Sequence, residues 1–283
     1  MFLKTLLPGC MLAALLAGHV SRAQEEPPAA AEETNEPGIK WLQAHFMESA
    51  AKYDFFLDEA RTEELELVDH AIFHWKQDDD WRGDLFIWER QGRPGVLGCI
   101  LASNPNGASR TIFHEFHVLT ETPIHPGKLQ ATRWAPASGA MRQTIAGAPT
   151  PADSAPLRLS QLRKLAREFV VTMQVDNHPW ELRLLPQPIY RYSAPEAGVI
   201  DGALFTYVWT KGTDPEFILL VECLKEESGR RWVYAPVKMT NRSLSVVRNE
   251  DEVWTCPTDG QPSIDSPYAS YYSETATVPG DQP

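Results

Sequence analysis

The chain lacks the cysteine patterns that mark disulfide scaffolds and zinc ribbons. Only four cysteines occur in 283 residues, and none stands in a Cys-x-x-Cys spacing. Three of them, Cys99, Cys223 and Cys256, follow residue 23. An odd number cannot pair completely within one chain, and the sequence does not select a pair. A fold held together by disulfides is therefore not expected.

The common catalytic signatures are also missing. There is no Gly-x-Ser-x-Gly elbow, no Walker loop and no Gly-x-Gly-x-x-Gly. Residues 49–52 fit Ser-x-x-Lys, but the Ser-Asp-Asn and Lys-Thr-Gly motifs that accompany it in β-lactamases are absent. The sequence thus favours neither nucleophilic catalysis nor nucleotide binding, and it predicts no cofactor.

Positive charge is scarce. The chain has 26 Lys and Arg against 38 Asp and Glu, a net charge of −12. Nucleic acids and anionic membrane surfaces attract Lys and Arg, so this balance argues against both as partners. No stretch after residue 23 approaches the roughly 18 apolar residues of a membrane helix, and no membrane span is predicted.

Residues 1–23 have the pattern of a secretory signal peptide. Lys4 gives a positive start, residues 6–20 are mostly apolar, and Ser21-Arg22-Ala23 places small residues where a signal peptidase reads. We therefore expect export to the periplasm or the extracellular space. Removing the signal leaves 24 basic against 38 acidic residues, a charge of −14.

The hydrophobic period changes along the chain. Residues 39–60 carry an apolar stripe at three- and four-residue steps, which predicts a helix, and residues 157–169 do the same. Each helix is followed by segments that alternate between apolar and polar residues, as half-buried antiparallel strands do.

The second half reads as a diverged copy of the first, at an offset that drifts from 117 to 121 residues. The order of the matched features is kept throughout, which favours a duplication over chance likeness between two β-meanders. The matched segments are 64–67 with 181–184, 72–75 with 189–192, and 83–86 with 202–205.

These patterns predict an α+β fold of two diverged repeats, each a helix followed by an antiparallel β-meander, that form one duplicated body. The low-complexity stretches separate or flank the repeats and should be loops or disordered. The predicted divisions are a signal peptide (1–23), a disordered acidic leader (24–37), repeat one (38–134), a Pro/Ala/Gly-rich loop (135–156), repeat two (157–256) and a disordered tail (257–283).

Two stretches resemble an uncharacterised family of exported proteins from planctomycete-type bacteria. They are the stretch 157–214, with residues 182–192 and 199–205, in the second half, and His114-Glu115-Phe116-His117 in the first. The resemblance covers most of residues 65–255. The resemblance implies a single fold and a place in the cell envelope. It implies no activity, cofactor or catalytic residue.

His114, Glu115 and His117, with His125 downstream, form the first candidate site. Two imidazoles and a carboxylate can bind zinc, with Glu115 as the base of a hydrolase. The spacing is one residue short of His-Glu-x-x-His, however, and the segment alternates like a strand. On a strand His114 points away from Glu115 and His117, so one core histidine and a surface Glu–His pair is the competing interpretation.

A calcium loop is the second candidate. Asp78, Asp80, Gly83 and Glu89 stand at positions one, three, six and twelve of an EF-hand-like pattern. Arg82 occupies a ligand position, and a strand rather than a helix follows. A solvated acidic hairpin is therefore the favoured interpretation.

The sequence therefore predicts an exported, non-catalytic binding or structural protein of the cell envelope, with an unidentified envelope or extracellular partner. The alternative is a metal-dependent hydrolase centred on His114, Glu115 and His117. The two hypotheses differ in whether these side chains converge in a pocket.

Overall fold

In the computed structural model, residues 36–283 form one structural unit. Of the residues described, 53% are in strands and 13% in helices. The predicted signal peptide and residues 24–36 of the predicted leader lie outside the described residues. The structure describes residues 37–77, 81–103, 109–127, 134–210, 212–227, 229–258 and 264–278.

The described chain contains two α-helices, a short 3₁₀ helix at Pro195–Ala197 and a series of strands. The helices are α1 (Pro37–Ala50) and α2 (Ala155–Ala166). The strands of the first half are β1 (Phe55–Phe56), β2 (Glu64–Leu67), β3 (Phe73–Lys76), β4 (Arg82–Arg90), β5 (Arg93–Ser103), β6 (Ser109–Val118), β7 (His125–Pro126) and β8 (Gln143–Thr144). Those of the second half are β9 (Phe169–Val175), β10 (His178–Glu181), β11 (Arg183–Leu184), β12 (Tyr190–Ala194), β13 (Val199–Val208), β14 (Pro215–Glu226), β15 (Gly229–Lys238), β16 (Leu244–Arg248), β17 (Asp251–Cys256) and β18 (Tyr268–Thr277).

The helices form where an apolar stripe meets a sheet. In α1, Leu42, Phe46 and Ala50 recur every four residues and are buried. The predicted extension of this helix to residue 60 is wrong, because Phe55 and Phe56 turn into strand β1 between β2 and β7. Neither helix of the described chain has the length and apolarity that crossing a bilayer requires.

The strands make three antiparallel sheets. The first has the order β18-β6-β5-β4-β2-β1-β7, with β3 also paired to β4. The second is β10-β9-β16-β17. The third is β11-β13-β14-β15-β8, with β12 also paired to β13. Sheets one and three each have a meander of three long strands at their centre.

The α+β prediction of two helix-then-meander repeats is wrong. The fold is mainly β, with curled antiparallel sheets and two short helices as accessories. Segments predicted as loop or tail also join the sheets. Residues 143–144 of the predicted loop form β8 against β15, and Tyr268–Thr277 of the predicted tail form β18 against β6. The spacing of apolar residues predicts individual helices and strands. The architecture depends on which distant strands pair, and that spacing does not show it.

The two central meanders nevertheless have one packing device in common. Trp75 is the cross-strand neighbour of Gly83, and Tyr192 is the neighbour of Gly202. A Cβ atom on Gly83 would lie 2.6 Å from the indole of Trp75, and one on Gly202 would meet the ring of Tyr192 equally closely. In both places the aromatic ring lies directly over the glycine, which explains why a strand interior carries glycine there.

Sheets one and three pack face to face across one buried cluster. We call this contact the inter-sheet interface. At each of its two ends, a turn of one sheet lies in close contact with the backbone of the other sheet. A Cβ on Gly92 would lie 2.7 Å from the carbonyl oxygen of Ser193, and one on Gly212 would lie 2.5 Å from that of Lys76. The buried cluster contains Trp75, Leu85, Ile87, Leu97, Cys99, Leu101, Leu119, Ala140, Leu204, Ile218, Leu220, Ala235, Val237 and Met239.

Candidate functional site

The structure separates the histidines and the carboxylate of the predicted metal site. His114 lies on the side of β6 that packs with Phe116 under α1, while Glu115 and His117 lie on the opposite side, toward sheet three. His125 is on β7, paired with Phe56 at the far end of the sheet. Among the described residues no group of three His, Cys, Asp or Glu side chains could hold a metal ion. The geometry therefore does not assemble the predicted ligands.

His114 is a core histidine. Its Nδ1 hydrogen-bonds the hydroxyl of Tyr53, which also contacts Tyr271, and its Nε2 is buried without a hydrogen-bond partner among the described residues. Burial, together with the positive ends of His45 and Lys52, lowers the pKa of His114 to about 4. The imidazole is therefore neutral at neutral pH, in agreement with the competing sequence interpretation for this residue.

Glu115 is part-buried against Tyr268 and is not the solvent-exposed residue of that interpretation. The hydroxyl of Tyr268 donates a hydrogen bond of 2.9 Å to its carboxylate. Burial raises the pKa of Glu115 to about 7, with a contribution from the negative charge of Glu216. His117 is buried on the same side of β6, and its Nδ1 lies 2.8 Å from the Val118 carbonyl oxygen. The pair forms part of the inter-sheet interface.

The calcium prediction falls partly outside the described chain. Asp78 and Asp80 lie outside the described residues. Glu89 accepts a hydrogen bond of 2.7 Å from the hydroxyl of Tyr190, on sheet three. Gly83, which stood at position six of the pattern, packs under Trp75 as described above. The described part of the motif thus serves the contact between the sheets.

The sequence analysis missed a carboxyl cluster at one end of the inter-sheet interface. Asp214 and Glu216 follow the turn at Gly212, and both interact electrostatically with Glu115 or with each other. Burial raises the pKa of both above its usual value, and their mutual repulsion raises that of Asp214 further. An acidic residue on either side of Pro215, leading into a long apolar strand, was the signal available in the sequence.

One guanidinium and one amide approach this carboxyl cluster. Arg242 Nη1 lies 3.7 Å from Glu216 Oε1, and Gln77 Nε2 donates a hydrogen bond of 2.9 Å to Asp214 Oδ2. Arg242 also lies over the indole of Trp209, at 5.0 Å from the ring centroid. Arg242 therefore contacts both Glu216 and an aromatic ring.

The opposite end of the interface is charge-compensated. Glu222 is fully buried and is bound by Arg93, the first residue of β5 (2.8 Å), and by Arg142 (3.0 Å). The hydroxyl of Tyr192 donates a further hydrogen bond of 2.8 Å. Burial alone would raise the pKa of Glu222, but the two guanidinium groups outweigh it and lower the pKa to about 2. The Glu222 carboxylate is therefore ionised, and we call Glu222 with Arg93 and Arg142 the Glu222 clamp.

The outer edge of sheet one is a second feature that the sequence analysis missed. β18 is the last strand in its order, so no other described strand pairs with its outer edge. Residues 272–275 are all exposed, and Tyr272 exposes 57% of its surface. The alternation of Tyr268, Ser270 and Tyr272 is typical of a strand and could have revealed this element.

A cavity of the described chain lies away from all of these residues. It is an open groove of about 350 Å³ beside the C-terminal end of α2. Arg167, Phe169, Glu181, Arg183 and Tyr207 are among its lining residues. None of the candidate residues reaches it. The structure forms no disulfide among Cys99, Cys223 and Cys256, whose pairing the sequence left open.

No family model, curated protein or solved structure matches this chain.

Proposed function

We propose that the protein is an exported, non-catalytic binding protein of the cell envelope that holds an extended, basic segment of a partner polypeptide along β18. The observation that carries the proposal is the open edge of this strand, ten residues long and exposed at positions 272–275. A strand edge presents backbone N–H and C=O groups that an extended segment can pair with. The N-terminal signal pattern supports the export.

In the described chain this edge has a bulge between Tyr272 and Glu274 but neither lysine nor proline, so it is only partly protected. Natural sheets protect their edges with lysine, proline or a covering element. β18 contains no Lys, Arg or Pro, and its one charged residue is Glu274. The C-terminal segment 257–283 has no basic residue, and the whole chain carries a charge of −12. This charge balance favours a partner with Lys or Arg over an acidic one.

The other charged groups support a binding role over a catalytic one. Arg93, Arg142 and Glu222 form the clamp between the sheets, and Glu115 is hydrogen-bonded to Tyr268 inside the same interface. These contacts stabilise the packing of sheets one and three, and so the position of β18. A hydrolase centred on His114, Glu115 and His117 would need those side chains to converge, which this arrangement does not provide.

Fluorescence anisotropy with labelled ten-residue peptides tests the proposal. The probes are an alternating Lys/Val peptide, a Glu/Val peptide of the same length, and the Lys/Val peptide with alternate backbone nitrogens methylated. We expect residues 24–283 to bind only the first, because binding needs both the positive charge and the backbone hydrogen bonds. Equal binding of the Lys and Glu peptides, or of the methylated one, would disprove the proposed mode.

A charge variant locates the site. Tyr272→Lys places a positive charge on the exposed part of β18 and should weaken binding of the Lys/Val peptide about five- to tenfold, as about 1 kcal/mol of repulsion would. Leu157→Lys is the matched control, since Leu157 is 61% exposed on α2. If both variants bind like the wild type, the peptide does not lie on β18.

A further inference from the structure

The two ends of the inter-sheet interface differ in how their charges are balanced. At the Glu222 end, two guanidinium groups face one carboxylate, which is ionised. At the other end, Arg242 lies near two carboxyl groups, Asp214 and Glu216, and Glu115 adds a third carboxyl group beside them. A rise in pH therefore adds negative charge to one end of the interface only.

Backbone contacts join the sheets at the carboxyl-rich end. The amide of Thr213 donates to the Lys76 carbonyl oxygen at 3.0 Å, and Gln77 forms an isolated antiparallel bridge with Gly212. The Gln77 side chain adds its hydrogen bond to Asp214. These contacts fasten the 212–214 turn to the end of β3. The carboxyl groups that titrate are on this turn or directly beside it.

We propose that Asp214 and Glu216 form a pH-sensitive latch, closed while at least one of them is protonated and opened at the Gly212 turn when both ionise, with the Glu222 clamp acting as the hinge. The latch is independent of peptide binding at β18. It requires only that the two carboxylates be nearer to each other and less solvated in the closed state than in the open one.

Proton linkage predicts in which direction pH shifts the equilibrium between the closed and the open latch. Burial and mutual repulsion raise the pKa of Asp214 and Glu216 in the closed state, and exposure to solvent on opening returns each pKa toward its usual value. Opening therefore releases protons, and a rise in pH favours it. The closed state is most stable below the usual carboxyl pKa and loses stability as the pH rises through the raised values.

The other groups around the pair set the size of the effect. Glu115 on β6 adds to the repulsion on Asp214, whereas Arg242 reduces it. Thr240 donates a hydrogen bond to Glu216 and reduces its shift. Next to Glu115 lie the thiol of Cys99 and the phenol of Tyr268, and burial raises the pKa of both. Lys238 Nζ donates to the Pro257 carbonyl oxygen and lies 5.8 Å from the centre of the Tyr268 ring.

Hydrogen–deuterium exchange of residues 24–283 between pH 5 and pH 9, expressed as protection factors, tests the latch. In the wild type we expect the protection of the Thr213 amide to fall with pH, by up to about tenfold per pH unit for each proton released. Asp214→Asn removes one titrating group and keeps an acceptor for Gln77, so its protection factor should fall less steeply with pH than that of the wild type, because only Glu216 still titrates. Peptides around Gly92 and Ser193 report on the hinge end and should show no fall.

A second variant should also keep the latch closed, by adding a positive charge instead of removing a negative one. Gln77→Lys places an ammonium group against Asp214 and should keep the turn protected at pH 9. The proposal is overturned if the protection of Thr213 falls as steeply in both variants as in the wild type, or if the Gly92 end loses protection together with it. Circular dichroism and melting temperature at pH 6 establish that each variant is folded.

Discussion

Tyr268 and Glu115 are 153 residues apart in the sequence and share a hydrogen bond of 2.9 Å. The pair joins the C-terminal strand β18 to the centre of sheet one, at the interface with sheet three. Burial raises the pKa of Tyr268 as well as that of Glu115, so the phenol keeps its proton and donates to the carboxyl group over the whole neutral range. The pair gives Glu115 a defined place in a largely apolar environment.

Glu115→Gln should make the protein more stable at high pH. The pKa of Glu115 is about 7 in the folded protein against a usual 4.5, so the wild type loses stability as the pH rises through this interval, by at most about 1.4 kcal/mol per pH unit. Glutamine has no such dependence and still accepts from Tyr268. Urea unfolding at pH 4.5 and pH 8 measures the difference, which should appear only at pH 8. A variant that is equally destabilised at both pH values would contradict the assignment.

Glu222→Gln should destabilise the protein strongly at neutral pH. The side chain of Arg142 is only 6% exposed, and the substitution leaves its charge without the buried carboxylate. The expected loss in the free energy of unfolding is about 3–5 kcal/mol. Glu226→Gln is the control, since its ion pair with Arg231 is half-exposed and should contribute no more than about 1 kcal/mol. Similar losses for the two variants in urea unfolding would show that the clamp is not a special contact.

The Glu222 clamp also predicts acid sensitivity. The pKa of Glu222 falls from 4.5 to about 2 on folding, so its contribution is fully present above the unfolded pKa. It is lost as the pH falls from about 4.5 toward 2. The wild type should lose stability in this interval, and the Glu222→Gln variant should lose less. Parallel curves for the two proteins in acid titrations followed by circular dichroism would refute this prediction.

His114→Phe should remove a second contribution to the acid sensitivity of the free energy of unfolding. The pKa of His114 is lowered from 6.5 to about 4, so the neutral ring contributes stability above 6.5 that disappears as the pH falls toward 4. Phenylalanine keeps an aromatic ring among Tyr53, Phe116 and Tyr271 but cannot take up a proton. We expect the stability of the variant, measured by urea unfolding, to change less than that of the wild type between pH 6.5 and pH 4.5. A slope equal to that of the wild type would count against a buried neutral histidine.

Gly83→Ala should destabilise by overpacking. The added methyl group would lie 2.6 Å from the indole of Trp75, and such crowding costs about 1–3 kcal/mol. Trp75→Leu leaves room for the methyl group, so Gly83→Ala should cost less in that background. The double-mutant cycle in urea isolates this coupling. Additive effects would mean that the ring moves aside without cost.

Local features of the fold were predictable because they depend on neighbours in the sequence. The apolar stripe of Leu42 and Phe46 predicts α1, and the alternation of apolar and polar residues after it predicts strands. The alternation around His114 also predicts that this residue faces away from Glu115, as the structure shows. The extent of α1 was overestimated because Tyr53 and Leu57 continue its apolar stripe, although the chain there turns into β1.

Local sequence pattern is enough to locate the strands and helices at the centre of each half and to say which side of a strand each residue faces. Long-range packing is what adds Tyr268–Thr277 to sheet one, brings Asp214 and Glu216 near Glu115, and places Arg93 and Arg142 against Glu222. Each of these contacts joins residues separated by more than 70 positions. The physical reason is that β pairing and charge burial depend on which distant segment lies alongside, and a local pattern carries no information about that choice.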